Sequence, residues 1–407
     1  MPRHVKAIAI AVAVILLVGE GACSPSASGA RGAKPWRRHV VDNSSRGPDG
    51  VRLADVDGDG RMDIVTGWEE GAITRIMINP GPGSVKGKWI GVTVGSTPNV
   101  EDALLVDIDG DGFADVITCC EGSTRTMFVH WSRADPSEFL KPAGWQTVPI
   151  PASKDLMAWM FSCPLSQAGG RLRALAAGGK GEKAKVGLWL VPPNPRDLPG
   201  WRFIPLRDSG WIMSLICADM NNDSLPDILL SDRKGSTTGV YWLENPGRPD
   251  VPWKEHLVGG AGREVMFISR VDLDGDDLPD VIAGVKPREV LWLRSLDRTG
   301  LTWETHPIAM PNWAGTAKAV AAGDIDGDGR PDIVFTCEDA KDLSGVGWLK
   351  QPQKTGDPWE ANDISGKEGS KYDLVELIDL DDDGDLDVLT CEERELNAVI
   401  WYENPRN

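Results

Sequence analysis

Histidine is scarce in this 407-residue chain, which has 5, and no two stand at the spacing of a paired metal-binding motif. Gly-x-Ser-x-Gly is also missing, so enzyme classes that rest on an activated serine or on His-bound zinc find no support. Basic residues are outnumbered, 43 Lys and Arg against 61 Asp and Glu, and the net charge of -18 excludes nucleic acid as a partner, since phosphate binding requires a basic surface. Seven cysteines are too few to staple a chain of this length. Helical periodicity is absent, and beyond the first residues no apolar run is long enough to cross a bilayer.

What is present is repetition. Six loops of the form D-x-[DN]-x-D-x-x-x-D begin at Asp55, Asp107, Asp219, Asp272, Asp324 and Asp379. A seventh unit, centred near residue 165, has lost its carboxylates but keeps its flanks. Spacings of 52 to 58 residues separate the seven. In six of the seven units the strand that follows carries an aromatic near its end, Trp131, Trp189, Trp242, Trp292, Trp348 or Trp401, and the first unit has Arg75-Ile-Met-Ile-Asn-Pro80 there. Another strand opens with Trp36, Trp89, Trp145, Trp201, Trp253, Trp303 or Trp359. Each unit therefore reads as four short strands, A to D, with the loop between A and B. Seven such units predict an all-β, seven-bladed propeller over 34–407. The chain starts with a D-type strand, Trp36 to Val41, and stops after a C-type strand at Tyr402, so the N-terminal strand is expected to complete the last blade and leave no open edge.

The loops carry the chemistry. Side-chain oxygens at positions 1, 3, 5 and 9 come from Asp55, Asp57, Asp59 and Asp63; Asp107, Asp109, Asp111 and Asp115; Asp219, Asn221, Asp223 and Asp227. The last three loops supply Asp272, Asp274, Asp276 and Asp280; Asp324, Asp326, Asp328 and Asp332; Asp379, Asp381, Asp383 and Asp387. A position-7 carbonyl would join them, from Arg61, Phe113, Leu225, Leu278, Arg330 or Asp385. All-oxygen, flexible ligation suits Ca²⁺, so up to six calcium sites are expected. Position 6 needs a sharp turn, which Gly60, Gly112, Gly329 and Gly384 supply. Ser224 and Asp277 stand there in the other two loops, and neutral Asn221 weakens the Asp219 loop further.

These loops resemble the FG-GAP or VCBS repeats of integrin α subunits, over roughly Trp36 to the C-terminus. That resemblance implies a calcium-bearing propeller with the ions on one face, and it leaves function open. The Trp401-Tyr402-Glu403-Asn404-Pro405 ending is also similar to the propeller part of fungal aldos-2-ulose dehydratases, without their cupin-like extension.

Residues 1–33 read as an export signal and linker: a cationic start, an apolar core from Ala7 to Gly19, then small residues. Gly21-Ala22-Cys23 resembles a bacterial lipoprotein signal, so a lipid on Cys23 is the one membrane attachment considered. Cys163 and Cys217 precede equivalent loop positions and are read as a candidate disulfide or as buried free thiols.

Three functions remain: an exported binding or adhesion module for a glycan or an extracellular protein, a sugar-active lyase or dehydratase, and a structural envelope protein. Of the 17 Trp, four lie outside the repeat register: Trp68, Trp159, Trp211 and Trp313. They are expected to gather on the face opposite the metal loops, with Lys318 and Tyr372, as a ligand-binding patch. Glu69, Glu121, Glu338 and Glu392 are expected at the B-to-C turns of that face, accepting turn N-H groups or binding a ligand.

Overall fold

The computed structural model describes residues 34–133, 135–168, 171–248, 251–354 and 356–406. The export signal and Cys23 lie outside the described residues.

Seven antiparallel four-stranded sheets form the blades. In blade 1 the strands are Pro48–Ala54, Asp63–Trp68, Ile73–Ile78 and Ile90–Ser96, hydrogen-bonded in that order. Blades 2 to 6 repeat the order from Val100–Val106, Ala158–Ala168, Ile212–Ala218, Val265–Val271 and Thr316–Gly323. Blade 7 is built from Tyr372–Ile378, Asp387–Glu392 and Ala398–Glu403, and Arg37–Asp42 is its outer strand. Pairing of Arg38 with Tyr402 and His39 with Trp401 closes the ring, as the sequence predicted.

Burial explains the strand order. B strands such as Asp63–Trp68 and Asp115–Cys120 are buried along their whole length, because neighbouring blades cover both faces. The periodic Trp residues pack the outer half of the blades. His39 stacks on Trp401 at 4.4 Å and His256 on Trp242 at 4.3 Å, each capped by a glutamate, so these histidines are blade residues. Outer-strand Trp Nε1 groups donate to carbonyls just upstream, as Trp89 does to Val85 and Trp201 to Pro195, which pins the C-to-D connections.

Blade 3 lacks the metal loop, and its A and B strands lengthen to 11 and 10 residues in place of it. Cys163 and Cys217 are free thiols on adjacent innermost strands; the Cys217 N-H donates to Cys163 Sγ at 3.2 Å, and no disulfide joins them. The topology puts the A-to-B loops on one face and the B-to-C and D-to-A connections on the other.

Candidate functional site

Each metal loop is wound by its own carboxylates. At position 1, Asp55 accepts N-H groups of Gly58 and Gly60 at 2.8 and 2.9 Å, and Asp324 does the same for Gly327 and Gly329 at 2.7 and 2.9 Å. Position 6 has positive φ in every loop, from Gly60 at 86° to Ser224 at 71° and Asp277 at 65°, so the last two hold a backbone that a side chain disfavours.

Position 9 does something the pattern did not disclose. In all six loops this buried aspartate accepts two backbone N-H groups, one from loop position 2 and one from the residue at the end of strand C. Asp332 accepts from Ile325 at 3.2 Å and Gln351 at 2.8 Å, and Asp387 from Leu380 at 3.0 Å and Asn404 at 2.9 Å. Asp63, Asp115, Asp227 and Asp280 make the equivalent pairs. Burial, only partly offset by these bonds, pushes the position-9 carboxyls up: Asp63, Asp227 and Asp280 to about 6, Asp332 and Asp387 to about 7, and Asp115 to about 8. The position-9 residue is thus a staple between the loop and its sheet, whatever else it binds.

Donor sets for a hard cation are in place. Oxygens of Asp55, Asp57 and Asp63 lie within 4.8 Å of one another, as do those of Asp107, Asp109 and Asp115 and of Asp272, Asp274 and Asp276. Buried Oδ1 atoms of Asp109 and Asp381, both at position 3, have no hydrogen-bond partner and are suited to a cation. Basic side chains lean on positions 3 and 5 from outside: Arg196 on Asp109 at 2.6 Å, Arg294 on Asp274 and Asp276 at 2.5 and 3.1 Å, and Lys86 on Asp381 at 2.8 Å. Arg61 and Arg330 pair with Asp59 and Asp328 in their own loops, and Lys350 with Asp326. In the Asp219 loop Asn221 Nδ2 satisfies Asp223 at 3.1 Å, in keeping with its smaller charge.

The opposite face holds a second concentration of charge. Lys318, almost fully buried, pairs with Asp373 and, at 2.9 Å, with Glu393, which also binds Lys371. Asp49 hydrogen-bonds to Asp373. Burial and the nearby carboxylates raise Asp49, whereas Asp373, despite its burial, is held below the usual range by Lys318. Further round, Lys180 bridges Glu121 and, at 3.4 Å, Glu101. Burial pushes Glu101 up to about 8, against the pull of Lys180 and with Glu121 adding to the rise. Lys286 pairs with Glu338, and Arg233 with Glu264 at 2.7 Å. Glu392 accepts N-H groups of Ser370 and Lys371 at 3.0 Å and of Glu395 at 2.8 Å, the turn role expected for the periodic glutamates; Glu121 and Glu338 bind lysines instead.

The expected tryptophan patch is broken up by packing. All four extra Trp belong to connections or strand ends of this face, but they enter separate hydrophobic clusters between different blades. Trp68 and Trp159 have no exposed surface, and Trp313 is 8% exposed against Phe335. Tyr372 is enclosed, bonded to Glu368 O at 2.7 Å and to the Tyr402 hydroxyl at 3.0 Å. Lys318 is spent in its ion pairs. The wedge between blades has to be filled by someone, and an indole outside the repeat register fills it as well as one inside it.

Trp211 alone of the four keeps an accessible side chain. It lies in a groove of ≈ 1060 Å³ between blades 3 and 4, lined by the 180–185, 208–211 and 234–237 segments. Asp232, fully buried, ties these segments together by accepting from Gly210 N at 3.1 Å, Trp211 N at 2.8 Å and Thr237 Oγ1 at 2.7 Å. Arg233 N in turn donates to Trp211 O at 2.8 Å.

These observations define a seven-bladed β-propeller. The FG-GAP-like repeat model matches residues 55–118 and 272–335, each beginning at a metal loop. Aldos-2-ulose dehydratase of Phanerodontia chrysosporium is a relative at 25% identity, over 42% of this chain and 22% of the relative. The chain thus spans about a fifth of the length of the curated relative it matches.

Proposed function

We propose that this chain is an exported, calcium-bearing propeller that binds saccharide in the Trp211 groove. The six loops hold Ca²⁺ through the side chains at positions 1, 3, 5 and 9 and the position-7 carbonyl, with position 9 also bracing the loop. The ions fix one face of the ring and leave the other for recognition. The observation that carries the binding site is the groove itself: a partly exposed indole in a wide cleft whose lining also offers the polar side chains of Ser236, Thr237 and Glu182. A flat apolar ring next to polar groups matches a sugar, which presents C-H faces and hydroxyls together. The test is a glycan array probed with the mature protein in calcium. Binding that Trp211→Ala abolishes, with the melting temperature nearly unchanged, is the expected result; no saccharide binding, or binding indifferent to that substitution, refutes the assignment.

One observation favours a second reading, a sugar-active lyase or dehydratase. Carboxylate oxygens of Asp49, Asp373 and Glu393 lie within 4.8 Å of one another beside the buried Lys318 amine, a cluster from which an acid and a base could be drawn. The dehydratase likeness points the same way. Incubation with aldos-2-uloses, followed by mass spectrometry for the loss of water, decides it; an Asp49→Asn protein as active as the parent removes this cluster from consideration.

A further inference from the structure

The chain is strongly acidic, yet the Trp211 groove is not. Its lining contains Lys180, Lys183, Lys185 and Lys234 against Glu182 and Asp208. Lys185 is paired with Asp208, and Lys180 with Glu101 and Glu121. Lys183 and Lys234, both exposed, form no ion pair among the described residues, and Lys234 acts on Glu264 only at longer range. Three cations converge on one indole: Lys180 Nζ is 4.4 Å, Arg233 Cζ 4.5 Å and Lys234 Nζ 4.7 Å from the Trp211 ring centroid. Attraction to a ring face favours each cation, and the mutual repulsion of three positive charges works against it.

The fold holds them there. The turn bearing Arg233 and Lys234 lies so close to Gly210 that a Cβ on Gly210 would come within 1.7 Å of Lys234 O. Asp232 clamps the same two segments from beneath, so the cations are brought together by backbone contacts and not by their own interactions. Of the three cations, Lys180 is paired with Glu101 and Glu121 and Arg233 with Glu264, which leaves Lys234 as the one without an ion pair among the described residues.

From this we infer that the groove takes an acidic saccharide, its anionic substituent over Lys234 and Lys183 and its ring against Trp211. The inference rests on the saccharide reading above and narrows it to sugars carrying a carboxylate or a sulfate ester. Charge-assisted hydrogen bonds from lysine satisfy either anion. A nucleic acid or an anionic membrane is disfavoured because the positive charge is confined to a groove on a chain of net charge -18.

Oligogalacturonate, a sulfated heparin oligosaccharide and a neutral cello-oligosaccharide are titrated into the mature protein in calcium, with single-stranded DNA and phosphatidylserine vesicles as further arms. The expected result is binding of one or both acidic sugars, weakened by added salt. Lys183→Ala with Lys234→Ala should lower their affinity about tenfold or more, the loss of one or two charge-assisted contacts, and Lys234→Arg should restore most of it. Preference between the two acidic sugars distinguishes carboxylate from sulfate recognition. Tighter binding of the neutral sugar, lost in Trp211→Ala and unaffected by the lysine pair, overturns the anionic inference and leaves the saccharide reading standing. Binding of DNA or vesicles alone, or of no probe, overturns both.

Discussion

Replacing Asp332 by alanine separates bracing from metal binding. Both oxygens of this buried side chain accept backbone N-H groups, from Ile325 and Gln351. Alanine leaves two buried donors without a partner, and at about 1–3 kcal/mol each the cost is roughly 2–6 kcal/mol. Asparagine keeps one accepting oxygen, so Asp332→Asn should lose about half as much. Asp326, at position 3 of the same loop, faces outward to Lys350 and accepts one N-H, from Asp328 at 3.2 Å. Its removal should matter chiefly when calcium is bound. Denaturant unfolding of the parent, Asp332→Ala and Asp326→Ala proteins, in calcium and in excess chelator, makes the comparison. The Asp332→Ala loss should persist in chelator, while the Asp326→Ala loss should shrink to a few tenths of a kcal/mol, the scale of an ordinary surface change. If chelator erases the Asp332→Ala loss, position 9 acts only as a ligand and the staple argument fails.

Other consequences are independent of the metal. His130 is buried between Thr118 and Thr147, and desolvation lowers it to about 3. Its folded value lies below the unfolded one, so its contribution is intact above pH ~6.5 and is lost as pH falls, by about 2 kcal/mol at pH 5; unfolding curves at pH 7 and pH 5 should converge in His130→Asn, and an unchanged acid limb would refute this. Trp313→Ala should cost about 3–5 kcal/mol as a cavity mutation, and a loss under 1 kcal/mol would return Trp313 to the candidate binding residues. Deleting residues 34–42 should strip hydrogen-exchange protection from Ala398–Glu403 before any other strand, and uniform loss across the ring would contradict closure by the N-terminal strand.

Blade number, strand order and ring closure were legible because each rests on a repeated local signal: the loop, the strand-C aromatic and the strand-D Trp. The loop staple was half visible. Periodic Asp at position 9 announces a carboxylate, but ligation and N-H acceptance leave the same letter, and only its place as the first residue of a wholly buried strand tells them apart. The rim was less visible still, since Lys318 meets Asp373 and Lys180 meets Glu101 across blades, 55 and 79 residues apart in sequence. A periodic trace of it does exist. Asp49, Glu101, Lys318 and Asp373 each stand six residues before their loop's first aspartate, a charged residue in an otherwise apolar strand. Charge recurring where apolar residues are expected marks a shared rim. The extra Trp misled for the converse reason, because leaving the register does not release a side chain from packing.

Calcium content tests the account most directly. Native mass spectrometry of the mature protein, titrated with Ca²⁺ from the chelated state, should show successive additions up to six ions, the loop with Asn221 filling last, with a rising melting temperature alongside. A protein that takes up no calcium, or whose stability is the same loaded and empty, contradicts it.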